Sequence, residues 1–493
     1  MQISTPTPTS APTPTSNNTP LQADYLVIGA GATAMAFVDT LLSESADATV
    51  LMVDRQHRPG GHWNAAYPFV RVHQPSAFYG VASRELSSGG RDLAGINAGM
   101  DSLATGAEVL AHFEQVMQQR FLPSGRVRWL PMSEVLRAGL QPVGAQPHSV
   151  HSVRSLTSGQ VQTVHARKVV DATHAQTTVP STHPPKYSVA SGVKCIPLND
   201  LPKTKQPYAN YTVVGSGKTG MDAVLWLLEN GVPPERIRWV MPRDAWFINR
   251  AIWQTGLDNF ERSIGAHIGQ FDAIIEASSV ADLFTRLEAR ALLLRIDPAV
   301  QPTSYHCAVV SPPELAQMRR VSDIVRLGRL QAIEPTRLVL DQGMLAADPD
   351  TLYIDCSASA IIPPPVLPVF DGDRINLFFV RTCQPLFSAA VIAYVESHVE
   401  DIAEKNALCK PVPIPQLPID WLRMWLASLA NGARWRQHPG LSAWLATCRL
   451  NGPAVLSKGV TPNDAPRMAL LQQWGAKGGT AAAKLQVLLA ERV

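Results

Sequence analysis

Two glycine-rich turns, each set directly after an apolar run, constrain this chain most. Gly29-Ala30-Gly31-Ala32-Thr33-Ala34 follows Tyr25-Leu26-Val27-Ile28, and Gly215-Ser216-Gly217-Lys218-Thr219-Gly220 follows Tyr211-Thr212-Val213-Val214. A strand that leaves through such a turn into a helix presents backbone amides and a helix N-terminus to a phosphate. One occurrence is weak evidence. Two in one chain, each between a strand pattern and a helix pattern, imply two dinucleotide sites and electron transfer between their occupants.

In the first turn, Gly29 permits the tight exit from the strand and Gly31 lets the backbone approach a pyrophosphate. Ala34 takes the third position, where only a small side chain allows close helix–strand packing. The helix continues through Met35, Phe37, Val38 and Leu41. The strand Ala48 to Val53 then ends in Asp54, whose carboxylate is expected to accept from a ribose hydroxyl. In the second turn Gly215, Gly217 and Gly220 hold the same three places. The strand Ile237 to Met241 runs into Pro242-Arg243, where an NADH site would carry an acid. A guanidinium there binds a 2′-phosphate bidentately, so NADPH is expected, with Arg243 reading the phosphate. Asp244 turned inward would favour a free hydroxyl instead. Lys218 either reaches a cofactor phosphate or is solvated. The sequence around it imitates a P-loop, but Thr212 stands where that motif needs glycine, which excludes an ATPase of that kind.

At 493 residues the chain is expected to hold about two or three domains. Its net charge of +3 argues against nucleic acid and against an acidic membrane surface. Six cysteines are scattered without a CxxC pair, which points to a reducing compartment and away from a dithiol–disulfide reductase. Residues 1–20 are almost entirely Thr, Pro, Ser, Ala and Asn and are expected to be a disordered tail. The first basic residue is Arg55, so no targeting segment is expected, and the longest apolar stretch is too short to span a bilayer. A cytoplasmic protein is expected, without membrane partner. No histidine pair has metal-ligand spacing with a third ligand, so no metal is expected.

Further along, a helix is predicted from Gly106 to Phe121, with strands at Val150–Val153 and Val161–Val170. A connector from Thr182 to Pro207 leads to the second turn, whose helix, Met221 to Leu228, stops at Asn230-Gly231. Residues 260–330 read as mostly helical. Strands follow at Leu338–Leu340 and Leu352–Ile354, and the second closes in Asp355-Cys356-Ser357-Ala358, an echo of Val170-Asp171-Ala172-Thr173. The two are expected to be paired crossover strands between one domain and another inserted in it. Asn376 to Val380 reads as a last strand, and Leu386 to Val395 as a helix with Pro385 in its first turn. Beyond about 410 the chain is helical and Trp-rich, with Trp421, Trp425, Trp435, Trp444 and Trp474 expected to pack; this region is the candidate surface for a homodimer.

Together these residues resemble the two-dinucleotide-domain flavoproteins, most closely the flavin-containing and Baeyer–Villiger monooxygenases. The matching pieces are Gly29-x-Gly31-x-x-Ala34, Asp54 where that family usually has Glu, Gly60-Gly61-x-Trp63 with Tyr67-Pro68, and Gly215-x-Gly217-x-x-Gly220. The resemblance implies an α/β fold: an FAD-binding Rossmann-like domain (21–195 and 346–405), an inserted NAD(P)-binding Rossmann-like domain (196–345), and a helical C-terminal region (406–493). It implies FAD at the first turn and NADPH at the second, with Gly60, Gly61 and Trp63 at the flavin. Two features depart from the family. The stretch Tyr187 to Cys195 lacks the histidine fingerprint of Baeyer–Villiger enzymes, and His73-Gln74-Pro75-Ser76 stands where the flavin-containing enzymes carry an Asn-x-Pro or Asn-x-Ser element.

On that resemblance the helix after Pro385 aims its dipole at reduced flavin, with Gln384 and Ser388 as added donors. His73 is either an acid–base group at the flavin or a structural histidine; the same alternatives hold for His62, and Gln74 joins the cofactor pocket. His306 reads as structural. The implied activity is an FAD enzyme reduced by NADPH that uses oxygen on a small organic substrate. The alternatives are an FAD-dependent dehydrogenase, oxidase or reductase without productive use of oxygen, and a non-catalytic flavin-binding scaffold.

Overall fold

The first apolar run forms the strand Leu21–Ile28, paired in parallel with Val50–Val53 on one side and Val161–Asp171 on the other. Ile28 lies opposite both Val53 and Asp171, so three strands stop level and the first glycine turn leaves from their carboxyl ends. Val127–Leu130 and Arg374–Asn376 extend the parallel sheet at its two sides. An antiparallel pair, Ser133–Leu136 with Ser149–Ser155, continues from Val161–Asp171. This computed structural model describes residues 19–86, 90–136, 149–173, 178–358 and 365–491; residues 1–18 of the Pro- and Thr-rich tail lie outside them.

The second apolar run repeats the plan. Asn210–Val214 is flanked in parallel by Ile237–Val240 and Thr351–Asp355, with Val214 opposite both Val240 and Asp355. Lys194–Pro197 and Asp323–Val325 complete a five-stranded parallel sheet. Its strands fall in sequence between Val161–Asp171 and Arg374–Asn376, so one Rossmann-like sheet is inserted in another. Thr351–Asp355 and Val161–Asp171 are therefore not paired crossover strands, as the sequence echo implied. Each is the neighbour of the glycine-turn strand in its own sheet.

The helix Ala32–Glu44 is buried from Ala34 to Leu42, against the sheet and the helix Pro385–His398, and its one buried charge, Asp39, is paired with Arg120 and accepts from Ser83 N. Glu44 accepts from His398 Nε2 at 2.9 Å and from Trp444 Nε1 at 3.0 Å, so the two helices, packed along each other, end together. Glu396, buried near the end of the second helix, takes Lys168 Nζ at 2.5 Å, the Tyr25 hydroxyl at 2.8 Å and Lys405 Nζ at 2.5 Å. Burial pushes its carboxyl up, and the two ammonium groups more than reverse this, holding it ionised.

Three further elements differ from expectation. Within 260–330 the long helices are Phe260–Glu276 and Val280–Ala289; Ser304–Val310 is instead a strand beside Ala245–Asn249, followed by a short helix, Pro312–Met318. The final strand is Arg374–Asn376, and residues 377–380 leave the sheet because Asn431 Nδ2 and Ser388 Oγ capture the backbone of Val380. The helix at 106 is regular only to Val116 and closes in a wider turn, Met117–Phe121. The C-terminal helices include Pro418–Gln437 and Ala465–Ala490, and their tryptophans pack. Trp421 and Trp435 are buried, and Trp474 stacks on His267 with ring centroids 5.1 Å apart. No described helix is long and apolar enough to cross a membrane.

Burial lowers the pKa of His112 and of His267 to about 4. A histidine that titrates near 6.5 when unfolded and near 4 when folded stabilises the fold above 6.5 and loses that contribution as pH falls. Between pH 7.5 and 5.5 each is expected to remove about 1 kcal/mol. Urea midpoints measured at both pH values check this; an unchanged midpoint contradicts it.

Candidate functional site

At the first turn Gly29 has φ +97°, and its amide donates to Val53 O at 2.8 Å. Gly60 donates its amide to Ala30 O at 2.8 Å, which docks the Gly60-Gly61 element onto the turn. A Cβ on Gly61 would stand 2.9 Å from Gly31 Cα, at φ +55°, so only glycine fits. Gly31 differs. Its backbone is extended, and a Cβ there would meet nothing nearer than Gly61 Cα at 3.7 Å. Ala34 is fully buried at the third position.

Asp54 does not stand free at the strand end. Its two oxygens accept from the amides of Ala30 at 2.5 Å and Gln56 at 2.7 Å, which fixes the carboxylate against the turn with lone pairs to spare. Trp63 also departs from expectation. It is buried, with Nε1 donating to the Tyr79 hydroxyl at 2.9 Å, so it anchors the loop; Gly60 is buried too, a Cβ there standing 2.5 Å from Leu110 Cδ2, and only Gly61 and His62 are accessible.

The second turn repeats these contacts. Gly215 has φ +123°, and a Cβ on it would stand 2.5 Å from Cys356 O. A Cβ on Gly220 would stand 2.1 Å from Gly215 O, whereas one on Gly217 would meet nothing within 4 Å. Behind each turn the same brace recurs. Asp171 Oδ1 accepts from the amide and hydroxyl of Thr173 at 2.9 and 2.7 Å; Asp355 Oδ1 accepts from those of Ser357 at 3.1 and 2.6 Å. The echo in the sequence signalled this brace, whose role its spacing alone did not reveal.

Lys218 is neither solvated nor extended toward the open side of the turn. It pairs with Asp222 one helical turn on, and Asp222 also accepts from the Tyr67 hydroxyl at 2.5 Å. That bridge, which sequence reasoning missed, joins the loop of the first unit to the helix of the second. Arg243 is exposed, and Ser216 Oγ donates to its carbonyl at 3.0 Å. Asp244 turns away, buried in a bidentate pair with Arg326 at 2.8 and 3.1 Å. Arg250 is buried, donating to Asp101 O at 2.6 Å and Asp92 Oδ2 at 3.3 Å, and so clamps the loop around 92–101 onto the inserted unit.

His62 is exposed and His73 half-buried, each with protein crowded around its ring. That surrounding lowers His62 to about 4. For His73 burial, then the charges of Lys218 and His62, lower it to about 3. His73 therefore does not titrate near neutrality; it is a neutral donor and acceptor, with Gln74 half-buried beside it in sequence. At the helix Pro385–His398, Gln384 is the N-cap, and its Oε1 is buried without a protein partner. Ser388 is no cofactor donor. Fully buried, its hydroxyl donates to Gln384 O at 2.7 Å and accepts from Val380 N at 3.1 Å.

The cysteines are not all solitary. Cys307 and Cys383, 76 residues apart in sequence, form a disulfide with Cα atoms 6.3 Å apart. No local spacing announces that pair.

No protein-family model matches the chain. It is similar to the uncharacterized protein Rv2000 of Mycobacterium tuberculosis, 48% identical over 474 residues that cover 95% of this chain and 85% of that protein. The uncharacterized protein Mb2023 of Mycobacterium bovis matches to the same extent. Among solved structures, the polycyclic ketone monooxygenase from the thermophilic fungus Thermothelomyces thermophila aligns with a TM-score of 0.49 at 13% identity, over 98% of this chain and 89% of that one.

Proposed function

We propose a two-cofactor redox function for this chain, which belongs to one family with the Mycobacterium tuberculosis protein Rv2000. FAD is assigned to the first glycine turn, in a domain of residues 21–195 and 346–405, and NADPH to the second, in the inserted 196–345. The observation that carries this is a duplicated opening in otherwise tight packing. At Gly217 a Cβ would meet nothing within 4 Å and at Gly31 nothing nearer than Gly61 Cα at 3.7 Å, while at Gly61, Gly215 and Gly220 it would collide. Each opening lies at the start of a helix, level with the ends of parallel strands. A pyrophosphate fits both.

FAD, when bound, supplies electron transfer from a reduced nicotinamide to an acceptor. The chain's own part is positional. The amides that open Ala32–Glu44 and Lys218–Glu229 hold the pyrophosphates, and Asp54, fixed by two amides, keeps lone pairs for a ribose hydroxyl. Gln384 and the amino end of Pro385–His398 face the same side as the first turn and meet developing negative charge. His73 offers one donor and one acceptor without changing charge near neutrality. The activity proposed is NADPH-driven oxygenation of a small organic substrate. His73, in the place of the monooxygenases' Asn, favours a second possibility, a flavin reductase that passes electrons on without oxygenation.

The test begins with denatured protein, from which chromatography is expected to recover FAD; FMN or no chromophore overturns the assignment. Anaerobic NADPH should then bleach the flavin. Oxygen is admitted next, with a panel of ketones, amines and sulfides. Oxygenated product supports the first activity, whereas quantitative hydrogen peroxide with every compound supports the second. His73→Ala is expected to leave bleaching nearly unchanged. Product per NADPH should fall roughly tenfold, the worth of one hydrogen bond of about 1.4 kcal/mol. An equal loss in bleaching contradicts that role.

A further inference from the structure

The disulfide between Cys307 and Cys383 crosses between the two nucleotide-binding units. Cys307 lies in the strand Ser304–Val310, paired to Ala245–Asn249 of the inserted unit. Cys383 lies in the turn between the first sheet and the helix Pro385–His398, next to the N-cap Gln384. Both half-cystines are partly exposed, so an external thiol has access. Both have left-handed backbones, φ +56° and +50°, in a chain with only two other non-glycine residues of positive φ among those described. Such a conformation is unfavourable for an L-residue and persists where surrounding structure enforces it, which is common at functional sites.

The turn that carries Cys383 is held without the bond. Thr382 donates its amide to Ser428 Oγ at 2.9 Å, Arg381 Nη1 donates to Asn451 Oδ1 at 2.5 Å, and Asn431 Nδ2 donates to Val380 O at 2.8 Å. Opening the disulfide therefore leaves this turn in place, and leaves the strand of Cys307 held to the C-terminal region by Tyr305 N donating to Gln416 O at 3.1 Å and by packing against Trp421. Both sulfurs lie against Met424 Sδ, at 3.9 and 3.7 Å, in a setting without an ion pair to fix either one.

We propose that Cys307 and Cys383 form a thiol–disulfide exchange site, a reversible latch between the two nucleotide-binding units whose substrate is an external dithiol. The thiolate of the dithiol attacks one sulfur, forming a mixed disulfide and releasing the other cysteine as a thiolate that takes up a proton. The second thiol of the reductant, deprotonated, then displaces the remaining cysteine, which is protonated in turn. Two electrons and two protons pass to the chain, and the reductant leaves as its own disulfide. In a compartment kept reducing, the latch is open at rest and closes under oxidation.

The experiment uses the full-length protein equilibrated in graded mixtures of reduced and oxidised dithiothreitol, quenched with an alkylating agent. Peptide mass spectrometry reads the 307 and 383 thiols, and hydrogen exchange reads residues 304–310. The expected result is a reversible transition of both thiols together, with the fold retained and protection of 304–310 falling roughly tenfold on opening. Cys307→Ser and Cys383→Ser should each show the open-state exchange under oxidising conditions. The proposal is overturned if the pair stays reduced in fully oxidising mixtures, if it opens only when the protein unfolds, or if exchange at 304–310 is the same in both states. None of these readouts needs a bound flavin, so a failure of the cofactor assignment would show separately, as protein without chromophore.

Discussion

Gly31→Val is expected to give a folded protein that purifies without colour. Valine suits the extended backbone at this position (φ −71°, ψ 176°), and its Cβ meets nothing nearer than 3.7 Å. The added methyl groups project into the clear space assigned to the pyrophosphate. FAD affinity should fall by roughly 1,000-fold or more, about 4 kcal/mol. Circular dichroism and the melting temperature should match those of wild-type protein stripped of cofactor, since bound cofactor itself raises the melting temperature. Gly61→Val is the contrasting variant. Its left-handed backbone and the 2.9 Å approach to Gly31 Cα leave no room, so that protein should lose stability as well as colour. A yellow Gly31→Val protein with a full complement of FAD would place the pyrophosphate elsewhere.

Arg243→Ala is expected to weaken NADPH by about one to two decades and to leave NADH nearly unchanged. The guanidinium is exposed beside the second turn, and the neighbouring acid that could have favoured a free hydroxyl is held away by Arg326. A hydrogen bond to a charged group contributes roughly 1.5–3 kcal/mol, which sets the size of the effect. Titration of both nucleotides against the two proteins decides it. Equal loss for NADH and NADPH would assign Arg243 to the shared part of the cofactor. No loss for either would move phosphate recognition elsewhere, though not to Arg250, which is buried in the clamp on Asp101.

The glycine turns were legible because sterics leave few residues to choose from at Gly29, Gly215 and Gly220, and a local requirement is written locally. The helix at Pro385 was legible for the same reason, from proline in its first turn. What escaped notice depends on partners far apart in sequence. Lys218 could be placed near a phosphate by its motif, but Tyr67, 155 residues from Asp222, turned the helix start into a bridge. Ser388 looked like a free donor until the chain folded back to present Val380 to it. The strand Ser304–Val310 resembled its helical surroundings because its burial does not alternate, His306 and Cys307 being its accessible residues between buried ends. Cys307 and Cys383 met through a strand and a turn that no spacing connects.

The side-by-side arrangement of Ala32–Glu44 and Pro385–His398, fastened at one end by Glu44, has a consequence at the other. Each amino end carries roughly half an elementary charge, so two helices fastened at their carboxyl ends direct two such charges the same way, one of them at the first turn. No side chain supplies it. It therefore has no pKa, cannot be neutralised by any one substitution at the surface, and keeps an anion's counter-charge in place at every pH at which the two helices stay folded.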